Sequence, residues 1–248
     1  MPDILVSDDG PVRTIRMNRP EKKNALTLAM YDTMAQAIEE AGQRAGIRCV
    51  LIAGHDTGFC AGNDLNDFVA MAQGGTLGAP ILRFLHALAR ADKPLVAAVN
   101  GRAVGVGTTM LLHCDHVVAS DTAVLSAPFV ALGLVPEAAS SLIAPRLMGH
   151  ARAFALLVMG QPLSASEAKE AGIVNAVVPA ADLEAQALSA ARAIAALPAE
   201  GVTIARRLMR GSPEEIAARI DAEAEAFKAR LASPEAHAAF AAFFNRKR

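Results

Sequence analysis

Two runs of five apolar residues, Cys49–Ala53 and Leu95–Val99, constrain the fold more than any other feature of the sequence. A strand that is apolar at every position has both faces covered, as in parallel sheets with helices on each side. Each run leads through a glycine-containing loop towards a predicted helix, which starts near Asn63 after the first run and covers Val106–His113 after the second. The repeated order of strand, loop and helix predicts an alternating α/β architecture.

The preceding segments are compatible with this architecture. Ile4–Ser7 and Val12–Met17 predict a hairpin around Asp9-Gly10, because Asp-Gly supplies the positive φ angles that tight turns require. Thr27 can cap a helix whose apolar residues recur at helical spacing as far as Gly42.

The second half of the chain contains shorter strands and more helix. Strands are predicted at His116–Ala119 and Ala123–Ser126, followed by helices from Pro136 onward. Ser164–Glu167 has the spacing of a capping box, and Gly172 is placed to end that helix before a strand at residues 173–178. Residues 182–248 are predicted to be wholly helical, with proline and glycine breaks. We therefore expect an α/β core over residues 1–181 and a C-terminal helical subdomain over residues 182–248.

Charge and cysteine content disfavour several classes of protein. The net charge is −1 and no basic block is interleaved with aromatic residues, so no nucleic-acid partner is expected. Cys49, Cys60 and Cys114 form no C-x-x-C pair, which disfavours a disulfide framework or a structural zinc site. The first ten residues lack the pattern of a signal peptide, and the apolar stretches are too short to span a bilayer. These features predict a cytoplasmic protein without a membrane partner.

Two loops follow the apolar strands, Gly58–Asp64 and Asn100–Gly107. Backbone N–H groups at a helix N-terminus have no intrahelical partner and favour negative charge. Two such loops, if they converge, could hold an anionic oxygen between one donor from each, which is how an oxyanion hole is built. The alternative is that their glycines only form tight turns. A dinucleotide site is disfavoured, because Gly105-Val-Gly107 lacks the third glycine of the G-x-G-x-x-G pattern.

Glu137 is the one charged residue between Asp121 and Arg146. A carboxyl group in apolar surroundings has a raised pKa, as a general base that works near neutral pH requires. Pro136 and Glu137 also suit the first turn of a helix, where a carboxylate would stabilise the helix dipole without any chemical role. The sequence is compatible with both interpretations.

His113 and His116 have a spacing that could place two metal ligands on one helix face. The predicted helix ends near Asp115, however, and a strand follows. We therefore predict that no metal is bound here.

Four segments, taken together and in order, are specific enough to indicate one protein family: Asn18–Leu26, Phe59–Leu65, Ala98–Gly105 and Ser164–Asn175. In this order they resemble the CoA-binding stretch, the two oxyanion loops and the helix-strand segment that closes the core in the enoyl-CoA hydratase/isomerase (crotonase) family. The resemblance implies a spiral of β-β-α repeats with a helical C-terminal part, assembled as a homotrimer or a dimer of trimers. It also implies an acyl-CoA thioester as substrate and no metal or redox cofactor, since coenzyme A is part of the substrate.

The resemblance assigns roles to individual residues. The oxyanion donors would be the N–H groups of Ala61 and Val106, and the catalytic base would be Glu137. The residues expected to contact CoA or the acyl group are Lys23, Ala25, Ala61, Gly62, Asn63, Asp64, Leu65, Asn100, Gly105 and Phe129.

Two positions depart from the hydratases of this family. Hydratases position water with two glutamates, and the corresponding positions here hold Thr109 and Phe129. The segment Pro128–Ser141 instead resembles the peroxisomal type of Δ3,Δ2-enoyl-CoA isomerase, whose catalytic base corresponds to Glu137. The sequence therefore predicts an isomerase that shifts a double bond from the β,γ to the α,β position. The alternatives are a hydratase or another crotonase-type reaction, and, in a different class, a non-catalytic acyl-CoA-binding protein.

The last predicted helix presents an apolar face made by Ala236, Phe240, Phe243 and Phe244. Such a face needs burial, either on the chain's own core or on a neighbouring subunit. The resemblance favours the neighbour, because the C-terminal helices of this family pack between subunits.

Overall fold

Nine strands form two sheets in the computed structural model, which describes residues 1–64, 67 and 78–245, the last three by their backbone alone. The strands are β1 Ile4–Asp9, β2 Val12–Met17, β3 Cys49–Ala53, β4 Leu95–Val99, β5 Arg102–Val104, β6 His116–Ser120, β7 Val124–Ser126, β8 Leu163–Ser164 and β9 Ala176–Val178. The larger sheet has the order β1-β2-β3-β4-β6-β9, and every pair except β1-β2 is parallel. The predicted hairpin and both apolar strands are confirmed.

The smaller sheet has the order β5-β7-β8. The chain passes from β4 in the larger sheet to β5 in the smaller one, and again from β6 to β7. This alternation produces the predicted spiral of β-β-α repeats. The predicted loop Asn100–Gly107 is wrong in part, because residues 102–104 form β5, whose Ala103 is fully buried and pairs with Cys60.

The helices are α1 Leu28–Gln43, α2 Ala79–Arg90, α3 Val106–Thr109, α4 Ser140–Leu157, α5 Ala165–Glu170, α6 Leu183–Ala196, α7 Ala199–Arg210, α8 Pro213–Leu231 and α9 Pro234–Asn245. Thr27 caps α1 by accepting a hydrogen bond from Met30 N–H, and Ser164 and Glu167 form the predicted capping box of α5. The helix predicted over Val106–His113 is present as α3 and a following 3₁₀ turn.

Three predicted element boundaries are wrong. Asn63 does not begin a helix but pairs with Leu26 in an isolated parallel bridge. The rest of that predicted helix falls largely outside the described residues. No helix begins at Pro136, because α4 starts only at Ser140, after two alanines with positive φ. The strand predicted over residues 173–178 is reduced to β9.

Both faces of the larger sheet are covered, as the apolar strands require. Val50 and Ile52 of β3 point into the main core, together with α1 and α2. The alternate residues Cys49, Leu51 and Ala53 face α6 through its leucine and alanine positions. The first helix of the C-terminal region thus covers the sheet, and the boundary predicted at residue 182 stays a prediction.

The final helix α9 docks on its own chain. Ala236 is fully buried and Phe240 nearly so, and Ala236 packs against Gly133, where an added Cβ atom would lie 2.8 Å from the α9 backbone. The expected packing of this part of the apolar face on a neighbour is therefore wrong. The side chains of Phe243 and Phe244 lie outside the described residues. Within the described part of the chain, no single helix has the length and apolar content needed to cross a membrane.

Candidate active site

The two predicted loops lie side by side. Cys60 N–H donates to Arg102 O at 3.0 Å, and Val104 N–H donates to Cys60 O at 2.9 Å, so the first loop pairs with β5 like an additional strand. Two glycines permit this approach. A Cβ atom at Gly62 would lie 3.2 Å from Val104 O, and one at Gly107 would lie 2.8 Å from the Cβ atom of Cys60. The glycines therefore bring the loops together and do more than form tight turns.

The predicted oxyanion donor Ala61 is wrong. Its N–H donates to the carbonyl oxygen of Lys23 at 3.0 Å and is thus already used. In the adjacent parallel bridge, Leu26 N–H donates to Gly62 O and Asp64 N–H donates to Leu26 O, both at 2.8 Å. Since successive residues of an extended chain direct their N–H groups to opposite sides, the N–H of Asn63 points away from Leu26. Asn63 lines the cavity described below, so its N–H, rather than that of Ala61, is available as the donor of the first loop.

Val106 is placed where it could supply the donor of the second loop. It is the first residue of α3, so its N–H has no acceptor within the helix. The preceding Gly105 has φ 57° and ψ −120°, a conformation that glycine adopts readily, and its N–H donates to Ser126 O at 2.9 Å. This placement agrees with the role that the resemblance assigns to Val106.

A cavity of about 150 Å³ lies between the loops and the C-terminal helices. It has a mainly apolar lining, formed by Ala61, Gly62, Asn63, Val104, Gly105, Pro128, Phe129, Leu132, Leu134, Phe227 and Phe240. Five of the residues predicted to contact the substrate are in this lining: Ala61, Gly62, Asn63, Gly105 and Phe129. An apolar cavity bordered by Asn63 and by Gly105, the residue before Val106, suits an acyl group whose carbonyl oxygen must be held.

The other predicted contacts mainly shape the loops. Lys23 supplies the carbonyl that holds Ala61, and the carbonyl of Ala25 accepts a hydrogen bond from Arg19 at 2.9 Å. Asp64 accepts a hydrogen bond from Arg19 at 2.7 Å, while Asn100 donates to Asp56 O at 2.9 Å. These four residues do not line the cavity, and Leu65 lies outside the described residues.

Asn24 holds the first loop, a role that the sequence interpretation missed. It is fully buried, and its Nδ2 donates to Gly58 O at 2.9 Å and to Phe59 O at 3.1 Å. Its φ is 55°, a left-handed conformation that asparagine tolerates better than most residues. The position of an asparagine beside the predicted CoA-binding lysine was a usable signal for this turn.

Glu137 is buried, with 2% of its surface exposed, and neither carboxyl oxygen has a hydrogen-bond partner among the described residues. Burial, with a smaller contribution from the charge of Glu223, raises the pKa of Glu137 from 4.5 to about 8. The sequence prediction of a raised pKa agrees with this. The alternative role in a first helical turn is wrong, because Glu137 precedes α4 by three residues.

The surroundings of Glu137 connect it to the first loop. Burial raises the pKa values of Tyr31 and Cys60, and the charge of Glu137 raises both further, which places these side chains within electrostatic reach of it. The hydroxyl of Tyr31 donates to Asn63 Oδ1 at 2.6 Å. Thr109 is fully buried, and its hydroxyl has no partner within the described part of the structure. One buried carboxyl therefore faces a largely neutral environment beside the first loop.

Two side chains hold the residues that follow Glu137. His113 Nε2 donates to Ala138 O at 2.7 Å, and burial lowers the pKa of His113 to about 4. His113 is therefore neutral and occupied by this hydrogen bond, while His116 lies at the start of β6. Glu223 of α8 accepts hydrogen bonds from Ala139 N–H, just before α4, and from Ser141 N–H in its first turn. Within the described residues, no group of three or more histidine, cysteine or acidic side chains is arranged to hold a metal ion.

Several known proteins are similar to this chain over most of its length. The enoyl-CoA hydratase/isomerase family model matches residues 8–248. The crystal structure of an enoyl-CoA hydratase/isomerase from Pseudoalteromonas atlantica has a TM-score of 0.93 and 42% identity, over 99% of this chain and 98% of that one. Enoyl-CoA delta isomerase 2 of Rattus norvegicus is 36% identical over 98% of this chain, which spans 64% of the rat protein. The 1,2-epoxyphenylacetyl-CoA isomerase of Escherichia coli is 36% identical over 82% of this chain and 80% of its own length. The predicted crotonase-like fold is confirmed, and the chain belongs to the enoyl-CoA hydratase/isomerase family.

Proposed function

We propose that this protein is an enoyl-CoA isomerase that shifts a double bond from the β,γ to the α,β position of an acyl-CoA thioester. The observation that carries the proposal is Glu137, a buried carboxyl whose pKa is raised to about 8 beside the first loop. Two similar proteins, from Rattus norvegicus and Escherichia coli, are named as isomerases of CoA thioesters, which supports the same reaction class.

The proposed reaction moves one proton between two carbons. The Glu137 carboxylate removes a proton from the α-carbon, and the electrons move into the thioester to form an enolate. The enolate oxygen accepts hydrogen bonds from the N–H groups of Asn63 and Val106. The electrons then shift towards the γ-carbon, which takes the proton back from Glu137. Loss of one such oxyanion donor typically costs roughly 3 to 4 kcal/mol of transition-state stabilisation.

Hydration is the competing reaction, and a similar protein of Rhizobium meliloti, 29% identical, is named a probable enoyl-CoA hydratase. Thr109 and Phe129 occupy the positions where the resemblance places the two water-positioning glutamates. Neither side chain ionises, so we expect hydration to be much slower than isomerisation. An assay of both reactions with purified protein, over several acyl chains, tests this, and comparable turnover numbers would contradict it.

The substitution Glu137→Gln is the direct test of the proposed base. It removes the proton carrier at nearly unchanged volume, so we expect isomerisation to be lost while acyl-CoA affinity stays within a few-fold of the wild type. Activity close to that of the wild type would rule out this assignment. An absence of any turnover in the wild type would instead favour the non-catalytic acyl-CoA binder.

We also propose that the protein is cytoplasmic and assembles as a homotrimer or a dimer of trimers. Exposed apolar side chains of α7 support an interface between copies, since Leu208 and Met209 are 79% and 87% exposed. Light scattering of the wild type and of Leu208→Glu tests this. We expect a trimer or hexamer that the substitution weakens, and a monomeric wild type would contradict the proposal. No metal, redox cofactor, nucleic acid or membrane is part of the proposed function.

A further inference from the structure

A buried carboxylate from α8 caps the turn that follows Glu137. Glu223 accepts hydrogen bonds from Ala139 N–H at 2.6 Å and from the N–H and hydroxyl of Ser141 at 2.9 and 2.5 Å. Glu223 lies 84 positions after Ala139 in the sequence, and only 7% of its surface is exposed. The residue at the N-cap of α4 makes no side-chain cap of its own, so Glu223 supplies the missing acceptor from another helix.

The turn requires such support. Ala138 and Ala139 have φ values of 63° and 53°, and two successive left-handed alanines are costly because Cβ approaches the following carbonyl oxygen. His113 holds the first alanine through its carbonyl, and Glu223 holds the second through its N–H. Backbone strain of this kind persists only when surrounding groups fix it, and it occurs often at functional sites. Glu137 is attached directly to this turn.

We propose that Glu223 is a positioning residue for Glu137: its carboxylate fixes the left-handed turn that orients the Glu137 carboxyl, and its negative charge acts on that carboxyl. The catalytic consequence of this positioning rests on the proposed isomerase function. The hydrogen bonds explain the orientation, and the charge explains why Glu137 holds its proton more firmly than burial alone would require.

The groups around the two carboxyls are few in the described structure. Glu137 is within electrostatic reach of Tyr31 of α1, Cys60 of the first loop and Glu223 of α8. Glu223 is within reach of Arg219, whose charge lowers the pKa of Glu223, as do the hydrogen bonds from Ser141 and Ala139, although burial raises it more. His113 is neutral near pH 7, because burial lowers its pKa to about 4. Three donors directed at Glu223 favour its ionised form.

Two substitutions separate the effect of the charge of Glu223 from the effect of its side-chain length. Glu223→Gln keeps the length of the side chain and removes the charge, while Glu223→Asp keeps the charge and is too short to reach both Ala139 and Ser141. Glu225→Gln is the matched control, since Glu225 is on the same helix and exposed. All three are compared with the wild type as the full chain.

The primary measurement is a ¹³C NMR titration of labelled glutamate carboxyls, which does not depend on turnover. In the wild type we expect the Glu137 resonance to titrate near pH 8, with a second inflection of the Glu223 resonance at the same pH. Glu223→Gln should lower the Glu137 midpoint, because the charge of Glu223 contributes to the raised pKa. Glu223→Asp should leave that midpoint in place, speed amide hydrogen exchange at Ala139 about tenfold and lower kcat, whereas Glu225→Gln should change none of these.

The wild-type titration decides the charge effect even if a variant fails to fold. A Glu223 resonance without the second inflection, or a Glu137 midpoint unmoved in a folded Glu223→Gln, would overturn the proposal. Unchanged Ala139 exchange in Glu223→Asp would overturn the positioning role. A wild type that titrates as expected but does not isomerise enoyl-CoA would contradict the proposed function and support the link between Glu223 and Glu137.

Discussion

Replacing Glu137 with glutamine should make the protein more stable relative to the wild type as the pH rises. In the folded state the pKa of Glu137 is raised from 4.5 to about 8, chiefly by burial. The folded protein therefore binds one more proton than the unfolded chain between these two values. Stability that is fully present below pH 4.5 is lost progressively as the pH rises to about 8.

The size of this loss follows from the shift in pKa. Each pKa unit corresponds to about 1.4 kcal/mol, so the buried carboxyl lowers the free energy of unfolding by about 3 kcal/mol at pH 7 and by about 5 kcal/mol above pH 8. Glutamine does not titrate. The cost of burying its amide is the same at every pH, so it shifts the free energy of unfolding of the variant by a constant amount. The pH dependence of the difference between the two proteins therefore comes from Glu137 alone.

Urea unfolding of the wild type and Glu137→Gln at pH 5, 7 and 9 measures the difference directly. We expect the variant to gain about 4 kcal/mol relative to the wild type between pH 5 and pH 9, and somewhat more if the pH 5 value is extrapolated downward. Glu225→Gln should show no such trend, because its side chain is exposed. Parallel pH profiles for the wild type and Glu137→Gln would refute the argument that burial of Glu137 costs stability.

Three further substitutions test the site. Tyr31→Phe removes the 2.6 Å hydrogen bond to the first loop, so we expect kcat to fall by about tenfold with the fold intact by circular dichroism; unchanged kinetics would deny this bond a role. Gly107→Ala places a Cβ atom 2.8 Å from that of Cys60, and it should lower kcat far more than Gly201→Ala, whose Cβ atom meets no other group within 4 Å; equal kinetics for the two variants would contradict the close packing of the loops. Phe240→Ala should destabilise the chain by about 3 kcal/mol and favour bulkier acyl groups in competition assays, an outcome that an unaltered substrate preference would contradict.

The parts of the fold that the sequence predicted are those set by local pattern. The apolar runs of β3 and β4, the cap at Thr27 and the capping box at Ser164 depend on residues close together in the chain. Their physical causes, burial of both strand faces and pairing of first-turn N–H groups, act on any chain with that pattern.

The parts that it missed depend on contacts between distant segments. Ala61 and Asn63 are distinguished as donors only by the pairing of the first loop with residues 23–26. The start of α4 was misplaced because Ala138 and Ala139 give no local sign of a left-handed turn, which Glu223 and His113 impose from elsewhere. The burial of Glu223, by contrast, could have been predicted from the sequence.

The signal for this burial is the position of Glu223 on the apolar stripe of α8. It lies between Ile216 and Ile220 on one side and Phe227 and Leu231 on the other, at spacings of three and four residues. An acidic residue in the middle of a buried stripe needs a polar partner. The periodicity therefore indicated a buried carboxylate, although not the turn that it would bind.

The close packing of the two loops has a consequence for engineering altered acyl specificity. At Gly62 and Gly107 a neighbouring segment leaves no room for a side chain. Substitutions at these two positions would therefore displace the backbone donors as well as the cavity lining. Leu132, Leu134 and Phe240 border the same cavity with apolar side chains. A mutant library confined to these three positions changes the volume available to the acyl group. It leaves the backbone of the two loops, and so the distance between the N–H groups of Asn63 and Val106, unchanged.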